Sequence, residues 1–302
     1  MTGITGRFYL RKPEVTALVL LFYLAALGPL LPGRPRADER VLFLALGVTA
    51  ILLVLAWGEA RLNRLAFSVT RDWLALGLVL TAYRTLDWFS PTHYSLSVER
   101  SWLAFDQIVL VNWGLQAGIE SAGKLLPFYL ELCYLLTSAA GAFGLAILYL
   151  NRKRERCDTF LFVYLLGTLT AYAIIPFFPS QPPRTAFPLA QTPTMLTAMR
   201  AFNLALLSKA GIHSGVFPSA HVSSTFAAAW GLWLAIPERK RYGWIFLVYA
   251  VSVAVATVYG RYHYAVDAIA GFAVSLTPVI VRLVWRVKFR PRPELSGPPL
   301  EL

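Results

Sequence analysis

A bilayer's hydrocarbon core takes about 20 mostly apolar residues of helix to cross. This chain of 302 residues carries eight stretches of that kind, at 15–31, 41–57, 73–89, 126–150, 159–178, 221–236, 242–259 and 263–285. The sixth is short and can borrow a turn from the loop before it. The expected fold is therefore all-α, a polytopic membrane helical bundle with about eight transmembrane helices. Composition agrees: 57% of residues are hydrophobic and 15% charged, against about 25% charged in soluble domains. That excludes an ordinary soluble domain and, more strongly, a disordered chain. Cys133 and Cys157 lie beside or within apolar stretches, with neither a disulfide framework nor a zinc-binding spacing. The net charge of +12 reads as topology signal and attraction to anionic lipid, so nucleic acid is not an expected partner.

Lysine and arginine concentrate on the cytoplasmic side of membrane proteins. With the N-terminus placed inside, 18 of the 28 basic residues fall in cytoplasmic segments. Among them are Arg7, Arg11 and Lys12, the Arg152–Arg156 loop, and Arg239, Lys240 and Arg241. Arg34, Arg36 and Arg40 run against the rule. The basic residues before the first span resemble a signal peptide's start, but no cleavage pattern follows, so the span is expected to stay. Residues 1–125 are expected to hold the N-terminal spans and an outer interfacial segment. Residues 126–289 would form a catalytic bundle, and the proline-rich 290–302 a cytoplasmic tail. Within the outer segment, Asp106, Gln107 and Asn112 interrupt an apolar run, which favours an interfacial helix over a span. The second long outer segment, 179–220, contains six prolines and a weakly amphipathic stretch at 195–209.

Polar residues at membrane depth are rare and informative. Two of the four histidines stand at the outer ends of the sixth and eighth spans, His221 in F-P-S-A-H and His263 in R-Y-H-Y-A-V-D. The topology puts them on one side at similar depth. Asp267 follows His263 by four residues, on the same helical face. A neutral imidazole can attack phosphorus when a carboxylate fixes its tautomer and stabilises the developing positive charge. Asp267 is placed to do that for His263, and His221 to protonate the leaving oxygen and later activate the acceptor. Ser219 is a good N-cap for the sixth span, and the amides after it can cradle a phosphate. Arg184, in Q-P-P-R, and Arg261 would supply charge to the equatorial oxygens. Glu131, Tyr134, Arg84 and Asp87 are candidates for a headgroup pocket or for structural pairing. His213 and Ser214 lie in the loop before Phe217, and His93 reads as a loop residue.

F-P-S-A-H followed some 40 residues later by R-Y-H-Y-A-V-D resembles the last two motifs of the type 2 phosphatidic acid phosphatase superfamily, roughly P-S-G-H and S-R-x5-H-x3-D. The branch it looks most like holds inositol phosphorylceramide synthase and its bacterial relatives, with P-S-x-H, an H-Y-x-V-D ending and an upstream P-P-R or P-P-W. The resemblance covers about 159–285. It implies His263 as nucleophile, Asp267 as its partner, His221 as acid and base, and no metal. The superfamily's first motif, K-x6-R-P, is absent, and Gln181–Arg184 is its substitute. The family arginine six residues before the nucleophile falls on Thr257, with Arg261 as the replacement. Ala220 stands where the family has glycine, and its contact with phosphate would run through the backbone.

The expected protein is an integral membrane phosphatase or phosphotransferase acting on a lipid phosphate through a phosphohistidine. It needs no cofactor. Its partners would be the lipid bilayer, a membrane lipid phosphate, and inositol or another hydroxyl acceptor. The expected location is a bacterial plasma membrane, with the active site on the non-cytoplasmic side. The alternative is a transporter or scaffold that retains the fold. Discontinuous helices with midplane charges would mark a transporter, whereas these ionisable residues gather at one face.

Overall fold

The computed structural model describes residues 8–31, 39–62, 65–91, 94–212 and 214–285. Arg7, Arg34, Arg36, His93, His213 and the 290–302 tail lie outside the described residues.

The described chain is helical throughout, with no strand among the described residues. Three N-terminal helices come first: α1 (Lys12–Leu27), α2 (Glu39–Leu62) and α3 (Leu65–Leu86). An outer stretch follows, with α4 (Ser97–Asp106), a π-helical segment (Gln107–Asn112) and α5 (Leu115–Ser121). Next come α6 (Leu125–Leu135), α7 (Ala140–Leu150), α8 (Cys157–Ile174), the short α9 (Pro183–Ala186) and α10 (Ala198–Ala210). The chain then runs through α11 (Ala220–Ala235), α12 (Arg241–Tyr259), α13 (Ala265–Ser275) and α14 (Thr277–Trp285).

Among the described residues, seven segments are long and apolar enough to cross a membrane: Lys12–Leu30, Glu39–Leu62, Leu65–Phe89, Leu125–Leu150, Arg154–Phe177, Arg241–Tyr259 and Ala265–Val284. They coincide with seven of the eight expected stretches. The expected span at 221–236 differs. It is α11, only 16 residues long, or about 24 Å of helix. Its surroundings explain the short length. α11 is enclosed by α7, α8, α12 and α13, and most of its residues are buried against protein. The outer 97–121 stretch is not among the membrane-crossing candidates, and it leaves Ile108, Val111 and Trp113 exposed.

Small side chains let α8 and α11 approach closely, as is usual where helices pack in a bilayer. Ala227, Ala228, Ala229 and Gly231 are all buried on α11. A Cβ at Gly167 of α8 would come within 2.6 Å of the Ala227 Cβ, and one at Gly231 within 2.9 Å of the Phe160 ring. The packing also fixes which ends meet. Arg156 Nη1 donates to the Ala235 carbonyl at 2.9 Å, joining the start of α8 to the end of α11. At the opposite end the Ser219 amide donates to the Asp267 carbonyl at 3.0 Å, joining the starts of α11 and α13. Both histidine motifs therefore lie at one end of the bundle, and the basic loops at the other.

Candidate active site

The turn between α12 and α13 presents His263. The Tyr262 and His263 amides both donate to the Thr257 carbonyl, at 2.9 and 3.0 Å, which closes the end of α12. Arg261 holds a left-handed φ of 62° in this turn. For a non-glycine residue that backbone is sparsely populated and persists only where surrounding contacts enforce it. Here the chain reverses sharply, and His263 faces the first turn of α11. Ser219 caps α11, its Oγ accepting from the Val222 amide.

His263 Nε2 and His221 Nδ1 are 3.2 Å apart. On its other side, His263 Nδ1 lies 2.9 Å from the Val216 carbonyl and 3.4 Å from Asp267 Oδ2. Both acceptors call for a proton on Nδ1, which leaves the Nε2 lone pair facing His221. The same Asp267 oxygen accepts the Tyr264 amide at 2.9 Å, so the carboxylate is oriented by the start of α13. Asp267 is fully buried and His263 is 5% exposed.

Both histidines line a narrow cavity of about 50 Å³, together with Arg184, Ala220, Tyr134 and Tyr262. A stack of flat groups forms one wall. The Tyr134 ring lies 3.8 Å from Tyr262 at 10° and 5.1 Å from His221 at 25°, centroid to centroid. The Arg184 guanidinium sits 5.5 Å from the Tyr262 centroid. Glu131 anchors the stack from behind, accepting from the Tyr262 hydroxyl at 2.5 Å, Asn203 Nδ2 at 2.7 Å and Arg200 Nη1 at 2.9 Å.

The structure thus brings His263, His221, Asp267, Arg184 and Ala220 together. It does not bring Arg261 or Ser219 into the histidine cavity. Arg261 turns away and donates from Nη1 to Asp106, whose other oxygen accepts the Ala265 amide at 2.8 Å. Burial pushes the Asp106 carboxyl above its ordinary range, opposed by the Ala265 amide and the Arg261 guanidinium. Ser219 is fully buried, with its hydroxyl on the helix cap and its amide on the Asp267 carbonyl. Neither group lines the cavity, and at this helix start it is Ala220 that does. Ser214 lines the cavity and hydrogen-bonds Ser90 at 3.0 Å. Arg84 and Asp87 do not line it.

Sequence reasoning missed three participants. Val216 acts through its carbonyl, and a backbone acceptor leaves no mark in side-chain identity. Tyr262 sits between two motif residues and reads there as an interfacial aromatic. Asp106 reads as a polar break in an apolar run, when it is the counter-ion of an arginine 155 positions away.

A family model described as the PAP2 superfamily matches residues 100–281, more than half of the chain and all but Tyr83 of the residues lining the histidine cavity. The chain belongs to the PAP2 superfamily. Among curated proteins, it is similar to a PA-phosphatase related-family protein of Dictyostelium discoideum, 37% identical over 62 residues. That match covers 20% of this chain and 11% of the relative, so the chain spans only about a tenth of the relative's length. No solved structure matches the chain. PAP2 membership and the apolar helices together indicate an integral membrane protein of phosphatase type. No group of three or more potential metal-ligating side chains occurs among the described residues.

Proposed function

We propose that this PAP2-superfamily protein removes or transfers the phosphoryl-type group of a membrane lipid phosphate through a phosphohistidine on His263. The observation that carries the reading is the His263–His221 contact of 3.2 Å, with Nδ1 of His263 held from behind by Val216 and Asp267. Nε2 of His263 attacks phosphorus, forming an N–P bond as the P–O bond to the leaving group breaks. His221 Nδ1 gives its proton to the leaving oxygen. In the second half, His221 takes a proton from the acceptor, whose oxygen attacks phosphorus and breaks the N–P bond. Water as acceptor yields phosphate, and a hydroxyl such as that of inositol yields a new phosphate ester. Asp267 positions the ring and stabilises its positive charge. Arg184 supplies positive charge to the non-bridging oxygens, and the Ala220 amide a helix-start donor.

The basic loops lie at the end of the bundle opposite the cavity, which supports a non-cytoplasmic active site. The acceptor assignment as inositol rests on motif resemblance alone.

Trapping labelled phosphate on protein variants tests the mechanism. His263→Ala should lose turnover and labelled protein together. His221→Ala should lose about 10²–10⁴-fold in turnover yet retain label from a substrate with a good leaving group. The reverse pattern swaps the two roles. Absence of label on either variant, with turnover intact, would reject the mechanism.

A further inference from the structure

Beside the histidine cavity lies a larger one of about 590 Å³. The two share a wall that includes Pro182, Arg184 and Leu207. Three arginines, Arg184, Arg200 and Arg261, line the larger cavity, and no carboxylate does. Arg200 is engaged by Glu131 and by the Gly260 carbonyl. Arg261 is different. Its side chain is 1% exposed and pairs with Asp106 through Nη1. Its Nε and Nη2 are buried with no hydrogen-bond partner among the described residues, and so is the hydroxyl of Tyr94, another lining residue. Arg184 faces both cavities and is paired with no carboxylate among the described residues.

Buried donors without acceptors are rare, because each forfeits its hydration without replacement. Asp106 and Glu131 pair with two of the three arginines, so Arg184, at the wall between the cavities, is the lining guanidinium without a carboxylate partner among the described residues. A guanidinium presents its donors as a fork that fits a phosphate-type oxyanion. We propose that the larger cavity is a second oxyanion site, which binds a phosphate-type group carried on the same ligand as the group facing the histidines. The proposal rests on the lipid-phosphate reading and deepens it: the ligand carries two such groups, with Arg184 between them and Arg261 and Tyr94 on the far one.

The test is equilibrium binding to the full-length protein in detergent, comparing methylenediphosphonate, which links two such groups, with inorganic phosphate. The wild type should bind the diphosphonate about 10–100-fold tighter than phosphate, the gain from charge-assisted hydrogen bonds at the second site. Arg261→Lys preserves a cation for Asp106 and loses the two unpartnered donors, so it should erase most of that advantage. Ser208→Glu adds a negative charge at an exposed lining position and should do the same without disturbing a buried pair. Equal binding of the two probes by the wild type, or an advantage untouched in both variants, overturns the second site. Tight diphosphonate binding that both variants abolish, in a protein that turns over no lipid phosphate, upholds the site and rejects the activity.

Discussion

The two ends of the bundle both carry charged residues in the interior, and they are built on opposite plans. At the end with the basic loops, Arg11 bonds Glu59 and Asp72, while Arg71 bonds Glu14 and Glu59. Arg154 adds a contact to Asp72 at 3.3 Å. Three arginines meet three carboxylates, and the network neutralises itself. At the histidine end, Arg200 pairs with Glu131 and Arg261 with Asp106, while Arg184 pairs with no carboxylate among the described residues. One guanidinium is left over, beside two imidazoles and an open cavity. A closed network holds helices together, since removing one member strands the others in a medium that solvates charge poorly. An open one is arranged for a ligand that completes it. Buried charge alone therefore does not mark a site in a membrane protein. A guanidinium without an ion-pair partner, facing empty space, does.

Substitutions at the two ends should separate stability from chemistry. The largest effect is expected at the histidine end. Asp267→Asn keeps the shape but favours the wrong tautomer of His263, and by analogy with the serine-protease triad turnover should fall about 10⁴-fold. Unfolding temperature and detergent elution should stay near wild type. A fall of less than tenfold would remove Asp267 from the mechanism. At the other end, Arg71→Met strands Glu14, while Glu59 keeps Arg11, and should destabilise the fold by about 3–5 kcal/mol. Thermal unfolding should show that loss, while the remaining folded protein keeps its KM. A changed KM at normal stability would show that the inner network communicates with the site. Arg184→Gln, which removes the guanidinium without an ion-pair partner, should raise KM for a lipid phosphate about 10–100-fold. Steady-state kinetics checks this, and an unchanged KM would mean that Arg184 serves only the wall. The smallest effect is expected from EDTA. The proposed chemistry uses imidazole, carboxylate and guanidinium, so activity should be unaltered. Loss restored by a divalent ion would count against the phosphohistidine route.

Much of this was legible in the primary structure. The apolar runs at 41–57, 73–89 and 242–259 correspond to α2, α3 and α12, since length and hydropathy are local properties. The four-residue spacing of His263 and Asp267 foretold their proximity, although His263 sits in the turn before α13 and not on the helix face expected for it. The exceptions are non-local. α11 is shorter than a free-standing span because neighbouring helices replace lipid around it. Arg261, two residues from His263, reads as a phosphate ligand. The left-handed turn at its own position sends it to Asp106 and the second cavity, away from the histidine cavity.

The sequence by itself determined that the chain is a membrane helical bundle and that two histidines and an aspartate lie at one end of its spans. Those conclusions follow from periodicity, hydropathy and charge, which act over a turn or a span. Only the tertiary structure decided which groups meet. It set the Val216 carbonyl behind His263, stacked Tyr134 between Tyr262 and His221, and divided the arginines between two cavities. The reason is that these contacts join residues 42 to 155 positions apart. Such pairings depend on how closely small residues such as Gly167 and Ala227 let the helices approach, and no local pattern encodes that distance.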